Sequence, residues 1–143
     1  MKRVGTLAAL AFALPIAMAP AIADDHRSPI SPEAGTYFIS PTDGQTVSSP
    51  FLVQFGAKGI GIAPAGVQQE GTGHHHVLIN TEYTAFDEPI PADDNHRHFG
   101  GGQTETVLDL PPGEYTLQLL MGDHDHIPHE PPVMSSRITI TVK

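Results

Sequence analysis

From Thr36 onward, short runs with apolar residues at alternate positions are closed, one after another, by proline or glycine. Thr36 to Ser40 ends at Pro41-Thr42-Asp43-Gly44, a turn in which proline presets φ and glycine accepts a positive one. Thr46-Val47 stops before Pro50, and Phe51, Val53 and Phe55 then line one face. His74 to Asn80, Thr104 to Leu110, Tyr115 to Met121 and Arg137 to Val142 are the remaining strand candidates. No stretch carries a convincing helical period. The pattern predicts an all-β chain, an immunoglobulin-like antiparallel β-sandwich of about seven strands, with an open barrel as the alternative. Pro111-Pro112-Gly113-Glu114-Tyr115 points the same way, because such sandwiches use a tyrosine early in a late strand to anchor the preceding turn.

The first 23 residues read differently. Lys2 and Arg3 precede an apolar stretch from Leu7 to Met18, and Ala21-Ile22-Ala23 is a small-x-small cleavage site. That is the pattern of a secretory signal peptide, which predicts a periplasmic or secreted protein with no membrane span after cleavage. Residues 24–35 form an extended lead-in and residues 36–143 one domain. Loss of Lys2 and Arg3 takes the formal charge from −9 to −11. So acidic a chain is unsuited to nucleic acid, whose phosphates are neutralised by Lys and Arg, and suited to cations. With no cysteine, a metal would be held by nitrogen, oxygen or methionine sulfur.

Eight of the nine histidines are grouped. His74, His75 and His76 run straight into Val77-Leu78-Ile79. His74/His76, His96/His98 and His124/His126 each have i, i+2 spacing, which in extended backbone puts both rings on one face, ready to chelate. His129 lies just beyond, and Asp93, Asp94, Asp123 and Asp125 are close enough in sequence to act as ligands or to orient the rings. His75 shares a face with Val77 and Ile79 and is expected to be a packed core residue. His26 would stand third after cleavage, where a free amine, two amides and an imidazole can wrap Cu(II) in a square plane. Imidazole ligands without thiolate suit copper or zinc. The glycine-rich stretch from Gly56 to Gly73 reads as a long loop, and Gly59-Ile60-Gly61 lacks the helix start that a phosphate cradle needs.

Several blocks are distinctive: Gly-x-Gly-His-His-His-x-Leu-Ile-Asn at 71–80, His-x-His-Phe-Gly-x-Gly-Gln-Thr-Glu at 96–105, and Leu-Pro-Pro-Gly-x-Tyr-Thr-Leu-Gln-Leu at 110–119. With Gly-Asp-x-x-His-x-Pro-His-x-Pro-Pro at 122–132 and the closing Ile-Thr-Ile-Thr-Val, they resemble an exported, histidine-rich bacterial family classed as a domain of unknown function. The resemblance implies an exported single-domain protein and brings no activity with it. In its last block the family's histidines fall on His126 and His129, and His124 falls on a variable position. Three functional readings follow. The first is a metal-binding module that buffers or carries copper or zinc through His74, His76, His96, His98, His126 and His129, with His124 and His26 as weaker candidates. The second is a metalloenzyme of the same cluster, with Asp93, Asp94 or Asp123 as general base. The third is an interaction domain that grips an envelope protein partner through its loops.

Overall fold

The computed structural model describes residues 26–143. Within them the chain forms nine strands: β1 (Gly35–Ser40), β2 (Thr46–Val47), β3 (Phe51–Lys58), β4 (Gly61–Ile62), β5 (Thr72–Ile79), β6 (His96–His98), β7 (Glu105–Leu108), β8 (Gly113–Gly122) and β9 (Ile138–Val142). They make two sheets. One has the order β1-β3-β7. The other runs β2-β9-β8-β5, with β4 and β6 both on the far edge of β5. The signal-peptide segment and the start of the lead-in lie outside the described residues. Among the described residues no helix is long and apolar enough to cross a membrane.

The two sheets pack as a β-sandwich because alternation gives each an apolar inner face. Phe51, Val53 and Phe55 of β3 meet Val77 and Ile79 of β5, Leu117 and Leu119 of β8, and Ile138, Ile140 and Val142 of β9. Burying side chains of this size stabilises the fold by roughly 1.5–3 kcal/mol each, and Leu52, between two core residues, faces solvent. The Tyr115 hydroxyl donates to the Pro111 carbonyl at 2.9 Å, so the tyrosine anchors its turn. Nine strands replace the expected seven because two short edge pieces, β4 and β6, are added to β5. The long pairings are antiparallel, whereas β2 with β9 and β4 with β5 are parallel. Those two pairings span two residues each, too few for their slanted ladder to set the topology.

Strand β5 is buried on both faces from Gly73 to Ile79. Its inner face is the sandwich core. On its outer face Leu78 packs with Leu120 of β8 under Tyr83 and Ile90, brought over by the segment 81–95. This second layer covers the lower half of the outer face. The upper half belongs to histidines.

Candidate metal centre

Alternation along β5 separates its three histidines. His75 points into the sandwich, where its ring lies 4.6 Å from that of Phe55 and its Nε2 is 3.1 Å from the Thr36 hydroxyl. Burial pushes its pKa down to about 4. It is the packed core histidine that the sequence predicts. His74 and His76 point outward and are nevertheless fully buried.

Register brings the other rings to them. β6 runs antiparallel to β5 with His98 directly opposite His76, so the two side chains share a face. On the other side, His74 faces Gly122 of β8. Glycine matters there, since a Cβ on Gly122 would sit 2.9 Å from Cε1 of His76. Gly100 likewise leaves room for His98, whose Cε1 would be 2.3 Å from an added Cβ. The ring nitrogens of His74, His76 and His98 fall within 4.8 Å of one another, a group that could hold a metal ion.

His126 stands at the mouth of this group. Its ring centre is 5.0 Å from that of His74, 4.7 Å from His98 and 6.1 Å from His76. Its Nε2 lies 3.1 Å from Nε2 of His98. The residue reaches in from the turn after β8 and carries a φ of 68°, a left-handed conformation uncommon for a side-chain-bearing residue.

The electrostatics favour the neutral form of His74, His76 and His98. Burial, then the neighbouring His126 and His98, lower the His74 pKa to about 4, while Asp123 opposes the shift. Burial and the surrounding histidines lower His76 to about 2. His98 is lowered in the same direction by burial and His126. Neutral imidazole is the form that coordinates metal. Neither ring nitrogen of His74 or of His76 makes a well-formed hydrogen bond in the protein; the Leu120 backbone lies near enough to His76 to oppose its pKa shift but not to pair it. Buried polar atoms are nearly always paired, so four orphaned nitrogens in one place are a departure that calls for a ligand. A tetrahedral ion with metal–nitrogen bonds of about 2.0–2.1 Å holds its ligand atoms about 3.3–3.4 Å apart. The His98–His126 separation of 3.1 Å already approximates one edge of that figure, and the donor atoms are all imidazole nitrogen.

The other candidate histidines are held elsewhere. His96 shares the β6 face with His98, yet its Nδ1 is taken by the Asp93 carboxylate at 2.8 Å. His129 is buried beside the start of β5, with Nε2 donating to the Thr72 carbonyl at 3.0 Å. His124 lies between carboxylates, its Nε2 3.2 Å from Asp125. His26 bonds the Asp87 carbonyl at 3.0 Å, and the square-planar arrangement suggested for it involves residues outside those described. Sequence reasoning did not see the roles of Gly100 and Gly122.

Residues 53–143 match the domain of unknown function DUF4399, and the chain belongs to that family. No curated protein matches the chain. Among solved structures, the endo-beta-1,4-mannanase from Thermotoga petrophila is similar at 18% identity, with a TM-score of 0.47 over 78% of this chain. This chain spans 20% of that one.

Proposed function

We propose that this protein is a periplasmic or secreted metal-binding module that holds one copper or zinc ion on His74, His76 and His98, with His126 as the fourth ligand, and that buffers or carries the ion. The observation that carries this reading is the pair of fully buried imidazoles on β5 whose ring nitrogens have no protein partner. A structural histidine has at least one ring nitrogen hydrogen-bonded, as His75, His96 and His129 do, even though Nδ1 of His75 and of His129 is unpaired. The ligand order supports a carrier. Two imidazoles are fixed on a rigid strand, while His98 is exposed and His126 part-exposed, within reach of a donor or acceptor of the ion. The Tyr115 corner supports reading the sandwich as immunoglobulin-like.

The test is metal content. Untagged protein purified without chelators is expected to carry near-stoichiometric copper or zinc by elemental mass spectrometry, or to take up added Cu(II) or Zn(II) one to one. His74→Ala with His76→Ala is expected to abolish binding. Wild-type protein that neither carries nor takes up either ion would refute the proposal.

A further inference from the structure

The turn that delivers His126 is built around one buried carboxylate. Asp123 is 3% exposed. Its Oδ1 accepts the amides of Asp125 at 2.9 Å and Ile127 at 3.0 Å, the two residues flanking His126. Its main chain closes the same turn: its carbonyl accepts the His126 amide at 3.0 Å and its amide donates to the Ile127 carbonyl at 2.9 Å. Its Oδ2 accepts the Ser28 hydroxyl at 2.6 Å, a contact across 95 positions of sequence. Ser28 sits on the lead-in, which is itself fastened: its carbonyl accepts the Glu130 amide, the Ile30 amide donates to the Glu130 carbonyl, and Arg27 pairs with the Glu130 side chain. From the far side the Ile90 amide donates to the His126 carbonyl at 2.8 Å.

Nothing in this arrangement places the Asp123 carboxylate among the ligands. Both of its oxygens are engaged, and its hydrogen bonds end on the backbone that sets the direction of His126 and on Ser28. A left-handed residue is held only where its surroundings over-determine it, and these bonds supply that determination. We infer that Asp123 is the positioning residue for the fourth ligand, and that Ser28 tethers the lead-in to it, so that the lifetime of the bound ion is set by the Asp123 turn. The inference rests on His126 being a ligand, as proposed above. The sheet-borne histidines then supply a fixed base, and departure of His126 is the step that opens the site for exchange with an incoming nitrogen or sulfur donor. Disturbing a residue that orients a ligand typically changes metal affinity about 10- to 100-fold.

The experiment measures loss of Cu(II) or Zn(II) from loaded full-length protein to excess chelator, for wild type, Asp123→Asn, Ser28→Ala, His126→Ala and the double variant Asp123→Asn/His126→Ala. Asp123→Asn is expected to release metal about 10- to 100-fold faster, and Ser28→Ala about five-fold faster, as for loss of one hydrogen bond. In the His126→Ala background Asp123→Asn is expected to add at most the small effect of removing a negative charge near His74, because the ligand it positions is gone. Hydrogen exchange of metal-free Asp123→Asn is expected to show faster exchange at the Asp125 and Ile127 amides with the sheet unchanged. Should Asp123→Asn fail to fold, Ser28→Ala and its double variant with His126→Ala carry the same comparison. Equal release from wild type and Ser28→Ala, or full additivity with His126→Ala, overturns the inference. Wild-type protein that binds no metal overturns the functional proposal itself, a separate outcome.

Discussion

Replacing His76 by leucine distinguishes a ligand from a structural histidine by the sign of a stability change. His76 is fully buried and neither of its ring nitrogens makes a well-formed hydrogen bond. Its outward neighbours along the face are Leu78 on the same strand and Leu120 directly across on β8. Leaving a buried donor or acceptor unmet costs about 1–3 kcal/mol per group. A leucine of similar volume removes both groups and adds apolar contact. Against this stands the loss of the ring packing with His74, 4.9 Å between centres, with His98, 5.1 Å, and more distantly with His126, 6.1 Å, at about 0.5–1.5 kcal/mol for each of the two close pairs and less for the third. The balance is a metal-free protein more stable by about 1–3 kcal/mol, or roughly 4–10 °C in melting temperature for a chain of this size.

The assay is urea unfolding at pH 7.5 of protein stripped of metal, followed by the same experiment with saturating Cu(II) or Zn(II). Wild type is expected to be the less stable protein without metal and to gain about 4 kcal/mol when free metal exceeds Kd a thousand-fold. His76→Leu is expected to gain nothing. A metal-free His76→Leu protein less stable than wild type would refute the reasoning, because the ring would then be contributing to the fold as it stands.

Four further outcomes follow from the geometry. Gly100→Ala drives a Cβ to within 2.3 Å of the exposed His98 ring, which must move by about 1 Å; metal affinity measured by chelator competition is expected to fall about 10- to 100-fold, with the melting temperature of the metal-free protein nearly unchanged. His96→Ala, which removes the bond to Asp93 and an edge contact with the Tyr83 ring, is expected to leave metal stoichiometry at one in a calorimetric titration. Because burial holds the His75 pKa at about 4, below its unfolded value near 6.5, its contribution is fully present above pH 6.5 and is lost as pH falls toward 4; His75→Phe is expected to remove about 2 kcal/mol of the stability difference between pH 7 and pH 5 in urea titrations of the metal-free protein. Tyr115→Phe loses the bond to Pro111 and is expected to lower the unfolding free energy by about 1 kcal/mol with metal binding unchanged.

The parts of this architecture legible in the sequence are those fixed by local period. Phe51, Val53 and Phe55, or Ile138, Ile140 and Val142, announce an inner face because a strand turns its side chains over every second residue. The same rule sorts His75 from His74 and His76, and puts His98 on a chelating face. What could not be read depends on register and loop path. His96 has the same spacing as its partner, yet Asp93, three residues back, captures its ring. His129 and His126 stand equal in the sequence, and contacts from residues far away separate them: the Thr72 carbonyl fixes the first, and Ile90 with the Asp123 turn directs the second. The space for the rings comes from Gly122 and Gly100, whose meaning appears only once β8 is paired beside β5 and the turn after β6 is folded against His98. Aspartate is a turn-forming residue, and the sequence offers Asp123 among four carboxylates that could ligate or orient the rings, but not which of the four, nor that it acts through the backbone of the turn.

A strand buried on both faces ordinarily reads as continuous hydrophobic sequence, because any polar group on it must find a partner. β5 breaks that rule on the outer half that lies beyond Leu78 and Leu120. Filling it with leucines would have continued the second apolar layer to the end of the sheet. Histidines there are expected to make the metal-free state less stable, and burial lowers the His74 and His76 pKa values to about 4 and about 2, so an ion bound there at neutral pH would displace no protons from those two rings. On the metal-site proposal, an ion bound to these nitrogens would recover that cost, and the folded stability of the sandwich would then report its metal occupancy.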